Sequence, residues 1–394
     1  MTIVENKTIQ IISSYFYPVI AGSETYFLKV YGYLINKGWR INVITTKDTP
    51  IQRNQLVDQE EINGITIKRN NYFSFASLPF SLGIKYRSTG VVCFNDFSTF
   101  PDLFVCFYSM ILKLFGLKKY TLVLHSMGLF NYNSEIYPHF SFRLKQLIDH
   151  SLGVWLINNS VDSIHSVSQD DKNGLITAGV RASLIEIIGC GIEEEAFSKD
   201  INQLASVEIK NKIANKKYIL QVARVNRIKN FETSIKALSF LPQDISFFVA
   251  GPIHDQKYLE ELTKLINELG LNDRVVFLRE VSVSDKYYLM KNSLLLVHMS
   301  KYEGFGIVVL EAMSQGCLCV VSKNGAMHEL IKDGINGYCE DYNDFKAVAD
   351  RLNFVLEHPQ LADKIRMNNR NFSLDKSWKN ISEKIELFYN KAKL

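Results

Sequence analysis

Short β-prone apolar runs alternate twice along this chain with stretches whose apolar residues recur at i, i+3 and i+4. This double alternation restricts the fold to two α/β units built on parallel sheets. In the first series Thr8–Ser13 reads as a strand, Ser23 as the cap of a helix that runs to about Lys37 and closes at Gly38, and Ile41–Thr45 as the next strand. Tyr26, Phe27, Val30, Tyr31, Leu34 and Ile35 give that helix one buried face and complete a βαβ unit. Val91–Phe94, a buried helix Pro101–Phe115, Tyr120–Leu124, Ser163–Ser168 and Leu184–Ile188 continue the theme. Between them, Gln52 to Phe80 is less regular, with turn chemistry at Asn63-Gly64 and Asn70-Asn71. The polar stretch Glu193–Lys217 then breaks the pattern, and a second series begins. Its strands are Tyr218–Ala223, Ile245–Ala250, Arg274–Leu278, Leu294–His298 and Leu318–Val321, and its helices include Tyr258–Leu269 and Phe345–Glu357.

A chain of 394 residues exceeds what one core supports. The expected organisation is a Rossmann-like domain over 1–200, a second over 201–375, and a segment 376–394 that packs back on the first. That last segment holds an amphipathic helix, Trp378–Lys391, apolar through Trp378, Ile381, Ile385, Leu387 and Phe388. The net charge of +4 is too diffuse to imply a nucleic-acid partner. Six cysteines, Cys93, Cys106, Cys190, Cys317, Cys319 and Cys339, match no zinc spacing and fit a reducing compartment, with Cys317-Leu-Cys319 read as core strand. The N-terminus lacks the pattern of a secretion signal, and the longest apolar stretch, Leu103–Leu117, is interrupted by Lys113 and too short to span a bilayer. A cytoplasmic location is expected.

The chemistry is concentrated in Glu303-Gly-Phe-Gly-Ile-Val-Val-Leu-Glu311, where a buried strand gives way to a glycine loop and then a helix. Such a junction presents free backbone N–H groups and the positive end of a helix dipole, which suits a phosphate. Gly304 and Gly306 allow a ligand close to the backbone. Glu311, in the first turns of the helix, can accept paired bonds from vicinal hydroxyls, and Glu303 can reach another part of the same ligand. A sugar joined to phosphate is the implied partner. His254, His298 and His328 have no partner legible in the sequence and are read as structural.

These residues resemble the GT4-type retaining glycosyltransferases, which have the GT-B fold: two Rossmann-like domains facing a cleft. The most specific element is the E-x7-E signature, Glu303 and Glu311 within SKYEGFGIVVLEAMSQGCLCVVS, followed by Asn324–Ile331 and Asp333–Gly337. Pro18–Glu24 resembles the family's glycine turn near the donor phosphates, with Ala21-Gly22 standing for the usual Gly-Gly. Val222–Asn230 resembles the segment that supplies an Arg and a Lys to the diphosphate, which places Arg224 and Lys229 there. His125 matches a histidine near the donor sugar, and Val167-Ser168 with Ile188–Ile192 matches the approach between domains. Two further departures, Ala223 before Arg224 and Met299-Ser300 before the signature, remove no charged group.

The resemblance implies a hexosyltransferase with His125, Arg224, Lys229 and Glu303 as catalytic residues. Gly22, Arg224, Lys229, Glu303, Gly304, Phe305, Gly306, Ile307 and Glu311 would form the donor site. Retention would follow a front-face path, and with no Asp-x-Asp cluster evident, no metal or other cofactor is expected. The acceptor would be a glycan or a lipid-linked molecule in cell-surface polysaccharide or glycolipid synthesis. Between Ile62 and Leu147, Lys68, Arg69, Lys85, Arg87, Lys113, Lys118, Lys119, Arg143 and Lys145 outnumber Asp96, Asp102 and Glu135. That region is either a solvated surface or a face attracted to anionic lipid. A second reading is a catalytically inactive subunit of the same fold. A nicotinamide-dependent oxidoreductase is disfavoured because no G-x-G-x-x-G follows the first strand.

Overall fold

The computed structural model describes residues 7–13, 16–18, 22–47, 56–70, 73–75, 78–80, 90–95, 100–128, 146–198 and 200–393. Its contacts divide the chain into two compact units, one formed by everything up to Cys190 together with the segment from Trp378 onward, the other by Gly191–Ser377.

In the first unit the strands are β1 (Thr8–Ile12), β2 (Arg40–Thr46), β3 (Gln59–Ile62), β4 (Ile65–Asn70), β5 (Phe73–Phe75), β6 (Leu78–Phe80), β7 (Gly90–Phe94), β8 (Tyr120–Ser126), β9 (Ser163–Ser166) and β10 (Ile185–Ile187). Eight of them form one sheet in the order β10-β9-β8-β7-β1-β2-β4-β3, and β5 pairs with β6 separately. All neighbours in the large sheet are parallel except β3 and β4. Those two are joined by Asn63-Gly64, whose φ values of 51° and 77° are the left-handed pair of a tight hairpin. The chain steps from β1 to β2 one way and from β7 through β8 to β9 the other. Right-handed crossovers therefore place helix Gly22–Asn36 on one face and the helices that follow β7 and β8 on the opposite face. Helix Gly22–Asn36 begins before Ser23, so Ser23 lies inside the first turn and is not its cap.

Helix Trp378–Ala392 packs against helix Gly22–Asn36. Tyr26 meets Trp378 edge-on with ring centres 5.5 Å apart, Tyr33 donates to Glu383 (2.9 Å), and the Trp39 indole donates to Glu386 (2.9 Å).

In the second unit six parallel strands, β11 (Lys217–Val222), β12 (Ile245–Ala250), β13 (Val275–Arg279), β14 (Leu295–His298), β15 (Cys319–Ser322) and β16 (Tyr338–Glu340), run in the order β13-β12-β11-β14-β15-β16. Alternate residues feed two apolar layers: Ile219 packs on one side of the sheet, Tyr218 and Leu220 on the other. The strand order reverses between β11 and β14. In open α/β sheets that switch point, at the carboxyl ends of the strands, is where a ligand-binding crevice opens.

The polar stretch Glu193–Lys217 is more structured than its composition suggests. It holds helices Ile201–Leu204 and Val207–Ile213, and Ile201, Ile209 and Ile213 are buried in the core of the second unit. Each helix is too short to show a period in sequence. All six cysteines are free thiols, and Cys317 and Cys319 lie in the core.

Candidate active site

Two loops meet at the switch point of the second unit. After β11, Asn226 caps a short turn by accepting from the Lys229 N–H (3.3 Å), and Asn230 adopts a left-handed conformation. The Asn230 side-chain amide donates to the carbonyls of Met299 (3.0 Å) and Tyr342 (2.9 Å). After β14, the Lys301 N–H donates to the Ile228 carbonyl (2.8 Å), with the Ser300 hydroxyl 3.1 Å from the same oxygen. Buried polar groups thus lock the Lys229 loop to the Glu303 loop, because leaving any of them unpaired would cost about 1–3 kcal/mol.

The side chains that result form a compact ionic cluster. One carboxylate oxygen of Glu303 accepts from Lys229 Nζ at 2.5 Å and from His298 Nε2 at 2.7 Å. A carboxylate only accepts, so His298 carries its proton on Nε2; its Nδ1 is buried without a partner. Burial alone would raise the pKa of Glu303, but the Lys229 charge and the His298 bond override it and hold the carboxyl well below the usual range. His298, read from sequence as structural, therefore belongs to the site.

Gly306 takes a left-handed φ of 90° and opens helix Ile307–Ser314; its carbonyl accepts the Val309 N–H (2.9 Å), and the Ile307 and Val308 N–H groups ahead of it have no partner within the helix. Glu311 on this helix is buried, with one carboxylate oxygen 2.5 Å from Lys286 Nζ and 3.4 Å from the Tyr287 hydroxyl. Lys286 and Tyr287 come from helix Val283–Asn292, whose cap is Ser282. Arg224, at the end of β11, is partly exposed and forms no ion pair among the described residues. Below the cluster, Gly325 sits at φ 70°, where a Cβ would lie 2.4 Å from the Glu303 carbonyl oxygen, and the next residue, Ala326, donates its N–H to that oxygen (2.9 Å).

The structure thus brings Lys229, Glu303, Gly304, Phe305, Gly306, Ile307 and Glu311 to one sheet edge, with Arg224 at the end of the adjoining strand. Gly22 opens the first helix of the other unit, and Ala21 lies outside the described residues. His125 is placed in the interior of the first unit, fully buried. Its Nδ1 is 2.9 Å from His165 Nδ1 and its Nε2 is 2.8 Å from the Tyr389 hydroxyl. His165 Nε2 must donate to the Ile188 carbonyl (2.7 Å), so His165 Nδ1 accepts from His125, and His125 Nε2 accepts from Tyr389. Burial holds both imidazoles neutral, with His165 pulled down to about 4. As arranged, neither nitrogen of His125 is open to a ligand.

Lys286, His298, Asn230 and Gly325 were not read as site residues from sequence. Asn230 and Gly325 lie in segments that resemble the family, and His298 sits at a strand end five residues before Glu303; Lys286 carries no such signal.

Taken together, the cluster offers two fixed cations, the start of a helix and two carboxylates, a set that suits a phosphorylated polyol. Two Rossmann-like units, the second with such a cluster at its switch point, are the layout of the GT-B fold. Residues 202–372 match the family model for glycosyl transferases group 1. The chain is 23% identical over 226 residues to a GDP-mannose-dependent α-(1-6)-phosphatidylinositol monomannoside mannosyltransferase of Mycolicibacterium smegmatis, covering 56% of this chain and 59% of that one. It is 22% identical over 356 residues to N-acetyl-α-D-glucosaminyl L-malate synthase of Bacillus anthracis, covering 88% of this chain and 87% of that one. The chain spans 43–59% of the length of the first curated relatives it matches. Anabaena HepE, solved with UDP and glucose, superposes with a TM-score of 0.74 at 21% identity, covering 98% of this chain and all of that one.

Proposed function

We propose that this chain transfers a hexose, with retention, from a nucleoside-diphosphate sugar to a glycan or lipid-linked acceptor, in the synthesis of a cell-surface polysaccharide or glycolipid. The observation that carries this reading is the Lys229–Glu303–His298 cluster beside the free N-terminus of the Glu311 helix. As the glycosidic bond breaks, charge collects on the departing diphosphate. Arg224, Lys229 and the first N–H groups of helix Ile307–Ser314 stabilise it without a divalent cation. Glu311, held by Lys286, accepts from the ribose hydroxyls, and Glu303 turns its remaining acceptor capacity to the sugar. The departing phosphate oxygen takes the proton of the attacking hydroxyl on the same face, which retains the anomeric configuration. His125 has no part in these steps and supports the ends of its strands. Six free thiols fit a reducing, cytoplasmic setting. The complex of HepE with UDP and glucose supports the donor class.

The test is a screen of purified protein against nucleoside diphosphates and their sugars, by thermal shift and by release of diphosphate in excess EDTA. At least one donor should raise the melting temperature and be slowly hydrolysed, because a ligand that binds only the folded state stabilises it. If no nucleotide binds, or if turnover needs added magnesium, the proposal fails in its donor or in its metal-free part respectively.

A further inference from the structure

Both bonds that the Glu303 carboxylate accepts fall on one of its oxygens. Lys229 and His298 converge on Oε1, while Oε2 has no hydrogen bond or ion pair among the described residues, although the side chain is 15% exposed. The carboxyl is ionised, so Oε2 keeps its full capacity to accept. The two donors differ in stiffness. Lys229 reaches the carboxylate from a loop on a long, flexible stem, whereas His298 ends β14 as a fully buried ring between the core residues Val297 and Met299. Packing alone would be served better by leucine or phenylalanine, because the His298 Nδ1 is buried without a partner among the described residues. Nor does the loop need this bond to hold its course. The Ala326 N–H pins the Glu303 carbonyl (2.9 Å), and the Lys301 N–H is bonded to the Ile228 carbonyl (2.8 Å). What the His298 bond adds is the direction of the carboxylate.

We propose that His298 is a positioning residue, which holds Oε1 of Glu303 so that Oε2 meets the donor sugar while Lys229 turns to the diphosphate. The inference rests on the donor-site reading above and gives His298 a part in recognising the sugar, not the nucleotide. In the structure Lys229 neutralises Glu303, but a nucleoside diphosphate carries several negative charges that compete for the same ammonium. A carboxylate held by lysine alone would then be free to turn about its terminal torsion, whose energy minimum is broad. The Nε2–H of a ring locked at a strand end stays where it is. With Oε1 engaged there, a hydroxyl of the hexose meets Oε2 in one orientation, and the anomeric carbon is presented in register with the departing phosphate.

His298→Phe keeps a ring and removes the donor, and His298→Gln removes the ring and returns an N–H at about the reach of Nε2. Full-length protein is titrated by calorimetry with UDP and UDP-glucose, GDP and GDP-mannose, and ADP and ADP-glucose, and the pair that the wild type binds is carried to the variants. For His298→Phe the Kd of the diphosphate should stay within about twofold, while that of the nucleotide sugar rises about tenfold and kcat for donor hydrolysis falls about 10- to 100-fold. His298→Gln should recover most of both losses. A folded His298→Phe that binds and hydrolyses the nucleotide sugar as the wild type does overturns the proposal. So does an equal loss for diphosphate and nucleotide sugar, or a His298→Gln no better than His298→Phe, since either marks a residue that merely supports the loop. Should the melting temperature show that His298→Phe does not fold, His298→Asn, whose amide stops short of Glu303, replaces it, and equal ratios of the two Kd values in the Asn and Gln variants overturn the proposal. A wild type that binds no nucleotide removes the donor reading and the inference with it; a wild type that binds, with a ratio that no variant moves, removes the inference alone.

Discussion

The carboxyl edges of the two sheets are built on the same plan and filled in opposite ways. In the second unit the edge beside β11 and β14 holds ionic groups, Lys229, Glu303, Lys286 and Glu311, with Arg224 nearby and in no ion pair among the described residues. In the first unit the ends of β8 and β9 are tied by a closed network. Asp171 accepts from the hydroxyls of Ser126 (2.7 Å) and Ser166 (2.8 Å) and from the Gly128 N–H (2.9 Å), and the His125–His165 pair consumes its own donors and acceptors. Satisfied groups specify shape, while groups with remaining capacity can bind. The difference teaches that charge chemistry resides in the unit matched by the family model, and that the first unit offers a fixed, neutral scaffold.

The largest effect that could break this comparison is on turnover. Arg224→Ala and Lys229→Ala should each lower kcat by about 10²–10³, as removal of a fixed transition-state donor does, with little change in melting temperature for Arg224→Ala. If both variants keep full turnover, the second unit's edge is not where the leaving group is stabilised. Gly325→Ala comes next. A Cβ 2.4 Å from the Glu303 carbonyl forces the backbone apart at a left-handed φ, and about 2–4 kcal/mol should be lost. All three tryptophans lie in the first unit, so the loss should appear in circular dichroism before it appears in tryptophan emission. Simultaneous transitions would mean that the units do not unfold separately.

Glu311→Ala should weaken nucleoside-diphosphate binding by about 1.5–3 kcal/mol through lost charge-assisted bonds, measurable by calorimetry. Unchanged affinity would remove Glu311 from the donor site. The smallest effect sharpens the scaffold side. His125 and His165 are neutral when folded, whereas unfolded imidazoles take a proton near pH 6.5. Below that value the unfolded state binds more protons. The pair's contribution is therefore complete above pH 6.5 and falls as pH drops toward about 4, by about 1.4 kcal/mol per pH unit for each histidine. His165→Asn should roughly halve that slope in denaturant titrations followed by tryptophan emission.

Much of the fold was legible because its signals are local. Ile245–Ala250 and Phe345–Glu357 appear with the bounds that periodicity gave them, and the Asn63-Gly64 turn was readable from two residues. The signature carboxylates were legible for the same reason, as two residues on one junction. What sequence could not show was who meets them. Lys286 lies 25 residues before Glu311 and His298 is one histidine among eight, so their roles exist only once helix Val283–Asn292 packs on helix Ile307–Ser314 and β14 leads into the Glu303 loop. The His125 network was equally hidden, since its partners come from Ser163–Ser166 and from the far end of the chain.

That far end has a consequence for how the protein is made. The first unit is discontinuous: Gly191–Ser377 is synthesised before Trp378 and Tyr389 exist to complete it. Until then Tyr26 lacks its edge-on ring partner, His125 Nε2 lacks its donor, and an apolar flank of helix Gly22–Asn36 stands open on the ribosome. The second unit, continuous in sequence, can close as soon as it emerges. Biogenesis therefore runs against the order of the chain, with the unit begun first finished last, and the interval exposes nascent protein to aggregation and to chaperones.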